Sequence, residues 1–399
     1  MKRIITALLL ILVALVCISC GEEKPDTGNF EVEFDEKTKS AEIVGFTAKA
    51  EKVTIPEKFG KYTVTSIGRN AFKENYDVSE IIFPKTLKTI GTSAFELCVS
   101  LKDIQLPEGL EKIDNTVFAN CRKLEYVYIP ASVKTIGICA FTGCTSLDEL
   151  EVAEGNPNYC TDEDGVLFNK DKTQLIQYPL GSDLVEYEIP EGTTEVSSYA
   201  FEKTKKLKTV IAPTSLKIVG SYAFQASSIS KIEFSEVETI DNFAFNESKL
   251  QYADLGNNLK KIGDSAFSWC TSLYNLNLPA SVESIGTSAF YMCTSIDCYT
   301  VDKDNANYTT DEHGVLFNKD MTVLLYYPNA RELHEYTVPD TVTLISTRAF
   351  SPSLNLKKVT IPDSVETIEE YAFAQCANLK ETIYEGTQPQ SIADNAFEK

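Results

Sequence analysis

Histidine is nearly absent from this chain, with two residues in 399. His313 and His334 lie in the same part of the sequence, so a histidine-dependent nucleophile or metal centre would be confined to that part. There is no GxSxG, HExxH, P-loop or GxGxxG phrase in a suitable strand and helix context, and no short paired CxxC spacing. We therefore expect no catalytic residue, no metal site and no cofactor.

Positive charge is also scarce, since 37 Lys and Arg face 58 Asp and Glu, which gives a formal net charge of -21. A surface this acidic repels the phosphate backbone, so nucleic acid is not expected as a partner. Carboxylate pairs are easy to find in such a chain and leave a glycosidase-type hydrolase open, but no pair is singled out by its sequence context.

The number of cysteines, eleven, does not predict a complete disulfide framework. Cys17 and Cys20 belong to the N-terminal segment, and the nine that remain are an odd number. Six lie three residues after a phenylalanine of the repeat described below, which predicts one column of small buried side chains: Cys98, Cys121, Cys144, Cys270, Cys293 and Cys376. Disulfides between neighbours in this column are the alternative outside the cell.

The N-terminal residues indicate export. Lys2 and Arg3 precede an apolar run from Ile4 to Ile18 that is too short to span a bilayer, so residues 1–19 are predicted to be a signal peptide. The small residue before Cys20 resembles the lipobox of bacterial lipoproteins, which implies a lipid-modified Cys20 followed by a polar tether at residues 20–28. The expected location is the cell surface or outer membrane, anchored in the membrane by lipid; ordinary cleavage and secretion is the alternative.

An internal repeat dominates the rest of the sequence. The phrase Ile-Gly-x-x-Ala-Phe or a close variant ends at twelve phenylalanines: Phe72, Phe95, Phe118, Phe141, Phe201, Phe224, Phe245, Phe267, Phe290, Phe350, Phe373 and Phe397. The first four are 23 residues apart, within the range of about 20 to 29 residues that is typical of leucine-rich repeats. We expect the glycine to permit a turn into the Ala-Phe corner.

A second phrase, apolar-x-x-apolar-x-apolar-Pro, lies between the phenylalanines at Leu101–Pro107, Leu124–Pro130, Leu273–Pro279 and Leu356–Pro362. It indicates a short strand with alternate inward side chains, closed by a proline that cannot donate to a ladder. The predicted fold for residues 50–399 is a leucine-rich-repeat solenoid, with short parallel strands stacked into a curved right-handed superhelix, mostly β with little helix. Residues 29–49 alternate apolar and polar side chains and predict a β-hairpin that caps the first coil.

Two related inserts interrupt the repeat near residues 153–183 and 302–332. Asn156 to Tyr159 and Gly165 to Asp171 recur 149 positions later as Asn305 to Tyr308 and Gly314 to Asp320, which indicates a duplicated block. Each insert has a glycine turn, a Val-Leu-Phe strand, an Asn-Lys-Asp turn and a second strand. We expect each to form a protruding β-hairpin.

The repeat order SLxxIxLPxSVxxIGxxAFxxC resembles the BspA-type leucine-rich repeats (LRR_5 type) of bacterial surface proteins, from about residue 50 to Phe397. This resemblance implies a non-enzymatic adhesin that binds host extracellular matrix or surface proteins, such as fibronectin and fibrinogen, or other cells. A glycan-binding accessory lipoprotein in nutrient uptake is a second hypothesis and a hydrolase a third, because fold alone does not fix function.

The binding surface is predicted from strand alternation. Outward positions of the repeat strands carry tyrosines beside carboxylates, a combination that suits protein or glycan binding because aromatic anchors often carry interface energy. The candidate binding residues are Tyr126, Tyr128, Glu149, Glu151, Glu186 and Glu188, with Glu233, Asp254 and Asn277 further along.

Overall fold

The structure is a computed structural model that describes residues 25–398. The predicted signal peptide, the predicted lipidation site at Cys20 and residues 20–24 of the predicted tether lie outside the described residues. Residues 25–398 consist of strands and turns, and no helix in this range is long and apolar enough to cross a membrane.

The strands are short and follow one another at the rhythm of the repeat. Those before the first insert are β1 (Phe30–Asp35), β2 (Ser40–Phe46), β3 (Lys52–Thr54), β4 (Lys58–Phe59), β5 (Tyr62–Ile67), β6 (Glu80–Ile82), β7 (Thr89–Ile90), β8 (Asp103–Gln105), β9 (Lys112–Ile113), β10 (Tyr126–Ile129), β11 (Thr135–Ile136) and β12 (Glu149–Val152). The next are β13 (Tyr159–Thr161), β14 (Leu167–Asn169), β15 (Gln174–Gln177), β16 (Glu186–Glu188), β17 (Glu195–Val196), β18 (Thr209–Ile211), β19 (Ile218–Val219), β20 (Lys231–Glu233), β21 (Thr239–Ile240), β22 (Tyr252–Asp254), β23 (Lys261–Ile262), β24 (Leu276–Leu278) and β25 (Ser284–Ile285). The last are β26 (Tyr299–Val301), β27 (Tyr308–Thr310), β28 (Leu316–Asn318), β29 (Val323–Tyr326), β30 (Glu335–Thr337), β31 (Leu344–Ile345), β32 (Lys358–Pro362), β33 (Thr367–Ile368), β34 (Glu381–Glu385) and β35 (Ser391–Ile392).

Each coil contributes one strand to each of two parallel sheets. The broad face is formed by the strands of the proline-closed phrase, paired in the orders β3-β6-β8-β10-β12, β16-β18-β20-β22, β24-β26 and β30-β32-β34. The narrow face is formed by short strands, most of them of two residues, paired in the orders β5-β7-β9-β11, β15-β17-β19-β21-β23-β25 and β29-β31-β33-β35. The predicted solenoid of stacked parallel strands is confirmed.

The Ala-Phe corner forms the third side of each coil, and its phenylalanine rings stack along the molecule. Phe224 lies 4.8 Å from Phe201 and 5.0 Å from Phe245, measured between ring centroids. These distances are close to the spacing of about 4.8 Å between paired strands, so one ring fits each coil. The amide of Phe224 also donates to the carbonyl of Ala244 at 2.7 Å, which continues the hydrogen-bond ladder along this side.

The glycine before the corner has a different role from the one predicted. Gly91 and Gly137 do not adopt a positive φ, whereas Ser93 and Leu97, two residues on either side of Phe95, have φ values of 57° and 63°. A Cβ on Gly137 would lie 2.4 Å from the amide nitrogen of Asn115 in the preceding coil. Glycine is therefore needed for close stacking of the coils, and the turn is made by its neighbours.

The inserts do not protrude, which corrects that prediction. The first forms a three-stranded antiparallel meander, β13-β14-β15, whose last strand β15 pairs in parallel with β17. Val166, Leu167 and Phe168 are fully buried. Asn156 holds the start of the meander, because its amide donates to the carbonyls of Pro130 (3.0 Å) and Val133 (3.2 Å) of the preceding coil. The hairpin of β14 and β15 is therefore part of the solenoid interior.

The middle strand of each meander separates two hydrophobic cores. In β14, Leu167 packs with the core of the coils before it, whereas Phe168 packs with the core of the coils after it. In β28, Leu316 and Phe317 divide in the same way. We call β14 and β28 the partition strands. They divide the hydrophobic core of the solenoid into three successive segments.

Tyrosine takes the place of the repeat phenylalanine in each insert. Tyr178 stacks on Phe201 at 5.0 Å and Tyr327 on Phe350 at 5.0 Å. Both are almost fully buried, and the hydroxyl of Tyr327 has no hydrogen-bond partner among the described residues. The long gaps between phenylalanines therefore contain an aromatic corner that a search for Ala-Phe does not find.

Replacing Tyr327 by phenylalanine is expected to leave stability unchanged or to raise it, because the variant no longer buries an unpaired hydroxyl. The adjacent Tyr326 is a matched contrast, since its hydroxyl accepts from the amide of Ala289 at 2.9 Å. Tyr326→Phe is expected to cost about 1 kcal/mol, the net value of a typical hydrogen bond. Urea unfolding of both variants checks this, and a larger loss in Tyr327→Phe than in Tyr326→Phe would contradict it.

The N-terminal strands β1 and β2 form an antiparallel pair, and β2 pairs in parallel with β5 at the edge of the narrow face. The ring of Phe46 stacks on Phe72 at 5.3 Å, so this hairpin begins the aromatic ladder. At the other end, β34 and β35 pair with β32 and β33, and Phe397 stacks on Phe373 at 4.9 Å.

The predicted cysteine column is present, and the nine described cysteines form no disulfide. Five of its members are fully buried and Cys376 is partly buried. The thiols donate to the carbonyl of the repeat phenylalanine one coil back, as Cys121 does to Phe95 at 3.1 Å. Burial raises the pKa of Cys98, Cys144 and Cys270 to about 12.

These thiols are expected to resist alkylation in the folded protein, because the reactive thiolate is not populated at a pKa of about 12 and the sulfur is inaccessible. Mass spectrometry after iodoacetamide treatment at about pH 8, near the ordinary cysteine pKa, is the measurement. Cys98, Cys121, Cys144, Cys270 and Cys293 should become labelled only in denaturant. Labelling of these five at the same rate in the native protein would contradict the column.

Candidate binding face

The six candidate binding residues lie on one stretch of the broad face. Strands β10 and β12 are adjacent and parallel, with Tyr126 opposite Glu149 and Tyr128 opposite Glu151. Between these positions Val127 and Leu150 point into the core and are fully buried. The alternation of the strand thus directs the tyrosines and carboxylates outward together, as the sequence predicted.

Exposure differs between the two residue types. Glu149, Glu151, Glu186 and Glu188 are exposed, whereas both tyrosines are partly buried. Tyr126 hydrogen-bonds to the carboxylate of Glu151 on the neighbouring strand. Burial, followed by this hydrogen bond to a negative group, raises the pKa of Tyr126 to about 12. The tyrosine ring is therefore held in a fixed position beside Glu151.

The remaining two glutamates are on β16, and the first insert joins them to the tyrosine strands. The turn between β13 and β14 lies against β12, where a Cβ on Gly165 would be 3.3 Å from the amide nitrogen of Leu150. On its other side, Asp162 accepts a hydrogen bond of 2.6 Å from the hydroxyl of Tyr187, the buried central residue of β16. This turn bridges β12 and β16, which are not paired with each other directly.

The acidic residues of this turn were not among the predicted binding residues. Glu163 and Asp164 are exposed between the two pairs of strand glutamates. Burial and the nearby Asp162 and Glu163 raise the pKa of Asp164. The Asp-Glu-Asp-Gly order was visible, but its place on the broad face becomes evident only when the insert is known to lie within the coil stack.

The glutamates of this stretch differ in charge pairing from three other glutamates of the broad face. Glu80, Glu233 and Glu335 form ion pairs with lysines, for example Lys231 with Glu233 at 2.9 Å. No ion pair within residues 25–398 involves the four candidate glutamates. We call the stretch formed by β10, β12, β16 and the turn at residues 162–165 the acidic patch. It presents uncompensated negative charge beside two tyrosine side chains.

Residues 25–398 contain no group of three or more His, Cys, Asp or Glu side chains placed to hold a metal ion. The counterpart of the acidic turn in the second insert is Glu312-His313, where His313 lies against Tyr336 at 5.9 Å between ring centroids. Among residues 25–398, His313 is therefore not part of a group of side chains placed to hold a metal ion.

The family follows from the repeats. The model for the BspA type leucine rich repeat region matches residues 47–164, 180–304 and 326–399, with six copies in total. The chain belongs to this family. The unmatched residues include both partition strands, in agreement with their departure from the repeat. No curated protein was found to match the chain.

Several solved structures resemble the chain at low identity. The pneumococcal vaccine antigen PcpA is 23% identical, with a TM-score of 0.49, 88% of this chain covered and 90% of that chain. A leucine-rich repeat protein from Bacteroides ovatus is 22% identical, with a TM-score of 0.45 and coverages of 90% and 93%. A leucine rich cell surface protein from Faecalibacterium prausnitzii is 19% identical, with a TM-score of 0.38 and coverages of 92% and 95%.

Proposed function

We propose that the chain is a non-enzymatic surface adhesin that binds a basic region of a host protein through the acidic patch. The observation that carries this proposal is the group of four exposed glutamates without ion pairs beside Tyr126 and Tyr128. Unpaired charge attracts an oppositely charged partner and speeds encounter, and aromatic side chains in an interface supply affinity. Membership of the BspA-type repeat family is compatible with a binding scaffold.

The test is a matched pair of charge variants with binding to immobilised fibronectin and fibrinogen. The first variant changes Glu149, Glu151, Glu186 and Glu188 to glutamine. The control removes the same charge at exposed positions off the broad face, Glu108, Glu247, Glu283 and Glu366. We expect the first variant to bind about tenfold more weakly or worse and the control to bind like the wild type.

Salt dependence and replacement of the two tyrosines distinguish the contribution of charge to binding from that of the aromatic rings. The wild-type association rate is expected to fall when salt is raised to about 0.15 M, where the Debye length is about 8 Å. Tyr126→Ala with Tyr128→Ala should mainly raise the dissociation rate, because the rings contribute contact area. Equal binding by both charge variants would refute the acidic patch. Glycan-array binding lost in the tyrosine variant would instead favour the glycan-binding hypothesis.

Lipid anchoring through Cys20 and exposure at the cell surface form the second part of the proposal, supported by the N-terminal sequence pattern. Protease treatment of intact cells is expected to release solenoid peptides, and mass spectrometry is expected to find an acylated Cys20. Cys20→Ala should move the protein into the medium or the soluble fraction. An unmodified N-terminus on wild-type protein would remove the anchor from the proposal and leave the patch to be tested separately.

A further inference from the structure

Each insert leaves a cleft between the narrow face and the Ala-Phe corner. The shortened corner at Tyr178 or Tyr327 opens this space between the coils on either side. Corresponding residues, 149 positions apart, line both clefts, including Gly137 and Gly286, and Tyr159 and Tyr308. The two clefts nevertheless differ in size, at about 490 Å³ for the first and about 160 Å³ for the second.

A tyrosine side chain of the protein itself fills the second cleft. The ring of Tyr326 lies edge-on to Phe290 at 5.3 Å between centroids, and Tyr326 is 7% exposed. Its hydroxyl accepts from the amide of Ala289 at 2.9 Å and lies 3.3 Å from the carbonyl of Gly286, to which it donates. The cleft thus provides an aromatic wall, one donor and one acceptor for a phenol.

The first cleft has the same wall and polar groups but no phenol. Gln177 stands where the second copy has Tyr326, and its amide turns away to donate to the carbonyls of Tyr178 (2.8 Å) and Ala200 (3.2 Å). Phe141 lines the cleft. Within residues 25–398, the amide of Ala140 and the carbonyl of Gly137 form no hydrogen bond.

A second sequence difference between the two copies lies beside the clefts. In the second copy, the guanidinium of Arg348 donates to Ser288, which lines the cleft, at 3.1 Å and lies 4.8 Å from the ring of Tyr291. The first cleft has Tyr199 at the position of Arg348, and this ring stacks on Tyr222 at 4.7 Å, as the guanidinium of Arg348 does on Tyr371 at 4.9 Å. The first cleft therefore lacks both the phenol and the arginine of its copy.

We propose that the first cleft binds a para-substituted phenol, the chemistry of a tyrosine side chain. The ring packs edge-on to Phe141, and the hydroxyl accepts from Ala140 and donates to Gly137, as Tyr326 does in the second copy. The cleft lies off the broad face, so this site is independent of the acidic patch. The phenol comes either from a tyrosine of another polypeptide or from a free small molecule.

The test measures binding of two phenols, N-acetyl-tyrosinamide and p-cresol, to the full-length chain by calorimetry or ligand-observed NMR. N-acetyl-phenylalaninamide and toluene, which lack the hydroxyl, are expected to bind about tenfold more weakly or worse. Gln177→Tyr copies the second cleft and is expected to abolish binding while leaving the melting temperature at or above that of the wild type. Binding unchanged in Gln177→Tyr would overturn the proposal.

The reverse exchange provides an independent arm. Tyr326→Gln combined with Arg348→Tyr gives the second cleft the residues of the first at these two positions, and is expected to raise the stoichiometry from one phenol to two. A variant that remains folded but still binds one phenol would count against the proposed geometry. If N-acetyl-tyrosinamide binds more tightly than p-cresol, a polypeptide tyrosine is the natural source; the opposite order identifies a small phenol.

Discussion

Replacing Phe224 by alanine is expected to lower the free energy of unfolding by about 3 to 5 kcal/mol, as for other buried phenylalanines. The ring is 1% exposed and lies between two stacked neighbours, so its removal leaves a cavity that rigid coils on both sides cannot close. Urea-induced unfolding followed by circular dichroism is the measurement.

The same truncation at the last corner is the control. Phe397 is 37% exposed and stacks on one ring, Phe373. Stability in a solenoid is approximately the sum of interactions between neighbouring coils, so a residue with one neighbour contributes less. Phe397→Ala should therefore shift the unfolding midpoint by much less than Phe224→Ala. Equal shifts would mean that the ladder does not carry the stability ascribed to it.

Introducing a charge into a partition strand is expected to have a comparable effect. Leu167 is fully buried between two cores, and aspartate at this position would bury a carboxylate among apolar side chains. An uncompensated buried charge costs about 3 to 5 kcal/mol. Leu167→Asp is therefore expected to unfold at a markedly lower urea concentration and to expose surface that binds a hydrophobic dye.

The control for this variant is Lys170→Asp, three residues further along the same hairpin. Lys170 is exposed, so the substitution should change stability by about 0.5 kcal/mol or less. If Leu167→Asp were no less stable than Lys170→Asp, the insert would have to lie outside the solenoid. That result would restore the protruding hairpin predicted from sequence.

Much of the fold was predictable because the same residue types recur at a fixed spacing. The repeat phenylalanines and the proline-closed strands identify the coil, and alternation along each strand gives the outward positions of Tyr126 and Glu149. Close packing requires the same volume at each corner, so the spacing is a direct consequence of the stacked structure.

The inserts were placed wrongly although the sequence contained a signal. Val166-Leu167-Phe168 is a continuous apolar run, which indicates a strand buried on both faces, whereas an exposed hairpin needs alternation. Tyr178 was overlooked as a corner residue for two reasons. It lies 37 residues after Phe141, whereas the regular spacing is 23, and the Ile-Gly-x-x-Ala phrase does not precede it. The acidic turn at residues 162–165 was missed for the same reason, since its position depends on that of the insert.

The partition strands also bear on how the molecule would respond to mechanical load. A solenoid held at one end and pulled from the other loses its coils in sequence, because each coil contacts only its neighbours. Unfolding that reaches β14 or β28 meets antiparallel strands whose side chains belong to two cores. It therefore cannot continue by the release of a single coil. Extension would then proceed in three stages separated by pauses, and the stage at the held end would persist after the coils at the pulled end have unravelled.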